Sequence, residues 1–151
     1  MKKQKLQLMQ MDKKIRGFAG VDATIPEQGW LKSIRISLNM TLKQMGKRMG
    51  ITPQSVREME GREKNGNISL QTLRQAGQSM GLRLVYGFMP EAGSLENIIK
   101  NQARKKAKEI VIRTSRSMDL EDQKVSERQL EAAIEEKAYE IIQEMPGYLW
   151  D

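Results

Sequence analysis

Apolar residues recur along most of this chain at helical spacing, and one stretch alternates instead. From Lys3 to Phe18, Leu8, Met11 and Ile15 fall on one side of a lysine-rich segment and predict a weakly amphipathic helix. "GVDATIPEQG" breaks it with Gly20, Pro26 and Gly29. Leu31, Ile34 and Leu38, with Trp30 alongside, predict the next helix, which Asn39 ends. Thr41 can cap a helix that buries Leu42, Met45 and Met49, and Gly50 offers a left-handed residue where the chain turns. Thr52 then reads as an N-cap with Pro53 at the first helical position, where its missing N–H is harmless, and Val56 and Met59 face inward. "GREKNGN" predicts a loop. Ser69 caps a further helix that buries Leu70, Leu73, Ala76 and Met80 before Gly81 stops it.

In "LRLVYGFMP", Leu82, Leu84, Tyr86 and Phe88 alternate with Arg83, Val85 and Gly87, a period of two that predicts a strand ending at Pro90. A lone strand leaves its ladder unpaired, so it either pairs with the same strand of a second subunit across a two-fold axis or lies as an extended segment on the helices. Beyond it, Leu95, Ile98, Ile99, Ala103, Ala107, Ile110 and Val111 make one helical stripe. Leu130, Ala133, Ile134, Ile141, Ile142 and Met145 make another, ended by Pro146 and Gly147 ahead of an apolar "YLW". These patterns divide the chain into a basic N-terminal helix and linker (1–26), a central helical domain with its strand (27–90) and a C-terminal helical extension (91–151).

The segment from Leu42 to Gly61 meets the requirements of a helix-turn-helix. Gly46 supplies the small residue midway along the first helix, Gly50 the residue tolerant of positive φ, and Met45, Met49, Ile51, Val56 and Met59 the inner apolar positions. A recognition helix enters the major groove end-on, so its first turn must carry donors and acceptors. Gln54 can pair with adenine N6 and N7, Arg57 can fork onto guanine O6 and N7, Thr52 and Pro53 can lie against a thymine methyl, and Ser55 is small enough for close approach. Thr41, Lys43 and Gln44 on the preceding helix, with Arg62, Lys64 and Asn65 in the loop, are candidates for phosphate contacts. Glu58 and Glu60 would repel phosphate and are expected on the side away from DNA. The plainer alternatives are an ordinary two-helix corner, a solvated Gln54, and an Arg57 turned to Glu60 or Glu63.

Charge favours a polyanionic partner. The 151 residues carry 26 Lys plus Arg against 19 Asp plus Glu, a net +7. The excess is uneven. Residues 1–93 hold 16 basic and 7 acidic side chains, 94–117 hold 7 and 2, and 118–151 hold 3 and 10, with the sign reversing near "SRSMDLED". The acidic end is a poor DNA ligand and a candidate protein-binding surface; a hairpin in which the basic and acidic helices neutralise each other is the simpler alternative. There is no cysteine and no histidine, which removes thiolate chemistry, Cys-type zinc sites and the commonest general base. A non-enzymatic, cofactor-free and metal-free protein is expected. No apolar run approaches a membrane span and the start has no signal-peptide pattern, so the expected location is the cytoplasm, with nucleoid association when bound to DNA.

"MTLKQMGKRMGITPQSVREMEG", within Trp30–Phe88, resembles the Cro/C1-type (XRE) helix-turn-helix regulators. Leu42 departs from that family, which commonly has a glutamine bracing the phosphate contact there. The resemblance implies a mainly α, lambda-repressor-like DNA-binding domain, to which the patterns above add one short β-strand, pairing across a homodimer being one of its two alternatives, and a C-terminal helical hairpin. It also implies repression at a palindromic double-stranded DNA operator. "GWLKSIR", "RLVYGFMP", "SLENIIKNQARKKA", "SMDLE" and "YLWD" are further similar to the mobile mystery protein A family. That second resemblance implies a two-gene mobile element encoding a Fic-domain protein partner, autoregulation and an antitoxin-like role. A protein-binding antitoxin working through the C-terminal helices is the alternative. The inhibitory Ser/Thr-to-Glu spacing of Fic-restraining helices is absent, since Ser55 lies five residues before Glu60–Gly61. A Fic catalytic signature is impossible without histidine.

Overall fold

The computed structural model describes residues 2–120 and 126–151, with side chains from Lys3 to Arg116 and from Ser126 onward. It is mainly α-helical: α1 (Lys2–Arg16), α2 (Trp30–Ser37), α3 (Leu42–Met49), α4 (Pro53–Lys64), α5 (Leu70–Ser79), α6 (Leu95–Leu120) and α7 (Glu127–Glu144), then a short 3-10 turn, Gly147–Trp150. No helix among the described residues is long and apolar enough to cross a membrane. The side chains of 117–125, where the charge sign reverses, lie outside the described residues.

The chain forms two compact units, Val21–Tyr86 and a second made of Met1–Gly20 with Gly87–Asp151. The first helix, separate in the chain-order division, therefore belongs with the C-terminal helices. Asp12 shows why. Its buried carboxylate accepts from the Leu95 N–H (2.7 Å) and the Glu96 N–H (3.2 Å), filling donors that α6 leaves open at its start. Half-buried Leu8 adds apolar contact, Lys5 Nζ donates to Gln143 Oε1 at 2.9 Å, and Met11 stays exposed.

Helices α6 and α7 form the expected hairpin around Ile99, Ala103, Ala107, Ile134, Ala138, Ile141 and Leu149. Alanines at 103 and 107, one turn apart and fully buried, let α7 approach closely. Leu149, from the apolar tail, is buried in the same core, whereas Tyr148 and Trp150 are exposed.

The unit Val21–Tyr86 packs α2 to α5 around Leu31, Met45, Val56, Met59, Ala76 and Met80. Its helices start where local caps were expected: Thr41, Thr52 and Ser69 each accept, through the side-chain oxygen, the N–H three residues on. Several apolar expectations fail. Leu38 and Leu70 are exposed, and Ile51, taken as an inner position, is 38% exposed. Ile51 instead contributes backbone, as its N–H donates to the Gly46 carbonyl at 2.8 Å. The loop expected from Gly61 begins later, because α4 continues through Lys64 and Asn65 caps it. Glycine inside a helix is unfavourable but tolerated when packing holds both ends of it.

The predicted strand, Leu82, Leu84, Tyr86 and Phe88, has no regular secondary structure, and no strand occurs among the described residues. A strand is defined by its ladder, and the described residues offer the segment no second one. Val85, Tyr86 and Phe88 are exposed, Phe88 at 84%.

Two glycines, 46 and 61, separate packing from propensity. A Cβ on Gly46 would sit 2.6 Å from the Ile51 carbonyl oxygen, whereas one on Gly61 meets nothing within 4 Å. Gly46→Ala is expected to lower stability by about 1–3 kcal/mol in urea unfolding, and Gly61→Ala to raise it by about 0.5–1 kcal/mol.

Candidate nucleic-acid interface

Helix α4 carries its two roles on opposite sides. Val56, Met59, Glu60 and Glu63, at i, i+3, i+4 and i+7, face the other helices; Val56, Met59 and Glu60 are buried and Glu63 is half-buried. Gln54, Arg57, Glu58 and Gly61 repeat the same spacing on the outer side and are all exposed.

The corner that presents this outer side is set by backbone geometry. Gly50 adopts φ 71, ψ 30, the left-handed conformation that a side chain would strain, and the close approach of Ile51 to Gly46 brings the chain round into Thr52. Thr52 Oγ1 accepts the Ser55 N–H at 3.0 Å and its hydroxyl donates to Ser55 Oγ at 2.8 Å. The first turn is thereby capped by its own side chains while Pro53 and Gln54 stay exposed and Ser55 is half-buried.

Acidic residues hold the helix in place from behind. Arg35 of α2, itself buried, forks onto Glu60: Nε donates to Oε2 at 2.7 Å and Nη2 to Oε1 at 3.1 Å, while Nη1 donates to the Met40 carbonyl at 2.9 Å. Glu63 accepts the backbone N–H groups of Trp30 and Leu31, both at 2.8 Å. It caps α2 in place of Gly29, which has no side chain to do so and whose φ of 88 a larger residue would resist. Both carboxylates offered as alternative partners for Arg57 are thus already engaged. Arg57 is exposed and has no carboxylate partner among the described residues.

The remaining candidates divide. Thr41, Lys43 and Gln44 are exposed at the start of α3, but Gln44 is partly committed: its Oε1 accepts the Thr41 N–H at 2.9 Å while Thr41 Oγ1 accepts the Gln44 N–H at 3.0 Å. Only the Gln44 amide NH2 is left to donate outward. Arg62 and Lys64 lie on the last turn of α4, and Asn65 is its C-cap, all exposed.

No family model, curated protein or solved structure matches this chain.

The expectation for Glu58 and Glu60 is half corrected. Glu60 is turned inward and 5% exposed, but Glu58 stands beside Gln54, with Gln54 Nε2 and Glu58 Oε1 3.5 Å apart. One helical turn separates them, so the same spacing that exposes Gln54 exposes Glu58. Arg35, Glu60 and Glu63 escaped the sequence-based site. The available signal was that Glu60 and Glu63 fall on the Val56 and Met59 face, where charge requires a partner.

Glu60→Ala leaves the Arg35 guanidinium buried and unpaired. Urea unfolding is expected to show a loss of about 3–5 kcal/mol, well beyond what removal of an exposed ion pair would cause.

Proposed function

We propose that this protein is a sequence-specific DNA-binding repressor that reads duplex DNA with the outer face of α4. One observation carries the reading: Gln54 and Arg57 are exposed along the outer side of the locally capped α4, while Glu60 and Glu63 are bound on its opposite side. Gln54 matches the N6 and N7 edge of adenine and Arg57 the O6 and N7 edge of guanine, with Thr52 and Pro53 against a thymine methyl. Ser55 permits close approach. Thr41, Lys43, the Gln44 amide, Arg62, Lys64 and Asn65 contact phosphates and set register. Glu58, beside Gln54, disfavours phosphate there and can accept from cytosine N4.

Binding is as a homodimer on a palindromic operator, with half-sites about 10 bp or a multiple apart. The alternating, largely exposed segment from Leu82 to Phe88 is the pairing element, because it has no ladder partner among the described residues. Regulation of its own two-gene unit, and an antitoxin-like relation to a Fic-domain protein, rest on the sequence resemblance. A second reading, protein binding through the C-terminal helices, is favoured by exposed Tyr139, Tyr148 and Trp150 on a unit that has its own core.

In a mobility-shift titration with the duplex upstream of its own coding sequence, wild type is expected to prefer that duplex over a scrambled one. Arg57→Ala or Gln54→Ala should each reduce the preference by about 1–3 kcal/mol while leaving most of the scrambled-duplex affinity intact. Equal wild-type affinity for both duplexes would reject the reading. Light scattering at micromolar concentration should return twice the 17.3 kDa chain mass, and a monomer there would reject the pairing element.

A further inference from the structure

Helix α6 carries more positive charge than the hairpin uses. Its inner side supplies Ile99, Ala103 and Ala107 to the core. At the hairpin edge, Arg104 reaches Glu131 (Nη2–Oε2 3.4 Å) and Glu135, whose carboxylate raises the arginine pKa above its ordinary value. The two described acids of α6 are also engaged within the helix: Glu96 lies 3.3 Å from Lys100 Nζ and Glu109 lies 3.4 Å from Lys106 Nζ.

Lys105, Lys108, Arg113 and Arg116 are left. They fall at i, i+3, i+8 and i+11, a single outward row in which all four are exposed and none has a carboxylate partner among the described residues. With Glu109 and half-buried Ile112 they line one shallow trough along the helix. A merely solvated helix face usually mixes signs at i, i+4, and among the described residues this row does so at Glu109 alone, whose carboxylate is drawn to Lys106. The row is about 16 Å long at 1.5 Å per residue, enough to meet more than one phosphate of a strand.

We propose that the outward face of α6 is a second contact surface for the DNA backbone, on which Lys105, Lys108, Arg113 and Arg116 meet phosphates. This inference rests on the DNA-binding function proposed above and extends it to the other compact unit. Such contacts add affinity and salt dependence without sequence preference, because phosphates carry no base identity.

The test replaces all four residues with glutamine in the full-length chain and measures affinity for the upstream and scrambled duplexes over a range of salt. A control variant carries Lys3→Gln, Lys13→Gln, Lys14→Gln and Arg16→Gln on α1, the same loss of charge elsewhere on the same unit. Circular dichroism melts should match wild type for both, since the altered residues are exposed. The α6 variant is expected to lose tenfold or more in affinity at low salt for both duplexes. Its slope of log K against log salt should shrink by about 0.9 per lost contact, with the preference between duplexes preserved. Slopes parallel to wild type, or an equal loss in the α1 control, would overturn the inference. So would a change confined to oligomeric mass, which would assign the row to the acidic face of another copy. Arg57→Ala in the same titrations keeps the two claims apart, because it should lose the preference while keeping most of the salt slope.

Discussion

The buried Arg35–Glu60 pair is the constraint on which the unit Val21–Tyr86 depends. An exposed ion pair would contribute little, but this one is a bidentate fork inside the core and also binds the Met40 carbonyl, where the chain leaves α2 for α3. It fixes the rotation of α4 about its own axis. With Glu60 pinned inward, and Glu63 pinned to the start of α2 one turn later, Gln54 and Arg57 have nowhere to go but outward. The exposure of the candidate reading residues is thus a consequence of where the acids are buried, more than of their own polarity.

Charge is deployed differently in the two units. Around α4 it works internally, joining elements distant in sequence and leaving a small, mixed outer surface of Gln54, Arg57 and Glu58. On the hairpin, apolar packing through Ala103, Ala107, Ile134 and Ile141 does the joining, and ionic contacts sit at the edge, where solvent screens them. Lys105, Lys108, Arg113 and Arg116 of α6 take part in neither the core nor these edge contacts among the described residues, which leaves their arrangement open to a role outside the fold.

Much of this architecture is legible in the sequence because the features that specify it are local. Thr41, Thr52 and Ser69 cap helices within three residues of themselves, Gly50 turns the chain at its own position, and the stripes containing Met45, Val56 and Ala76 mark the core directly. The two-faced reading of α4 follows from the same periodicity. Features that depend on distant partners are not legible in this way. Asp12 reads as one more charge in a lysine-rich helix until α6 is brought to it, and Glu63 reads as loop until α2 is set against it. Ile51 looks like a core residue by composition and turns out to serve through its backbone. Leu82–Phe88 has the alternation of a strand without a neighbour to make it one, because alternation describes side chains and a strand needs a second backbone.

Both carboxylates that close helix starts from afar, Glu63 on α2 and Asp12 on α6, tie local order to assembly. A helix with an amide donor met by its own neighbouring threonine needs no other element to complete that contact. Helix α2 has no such local cap, and in α6 Ser94 Oγ meets only the Asn97 N–H, so the opening turns of both are completed by residues 32 and 83 positions away in the chain. Closing those turns requires the distant carboxylate to be in place, so in each unit the integrity of one helix end is coupled to the packing of another helix.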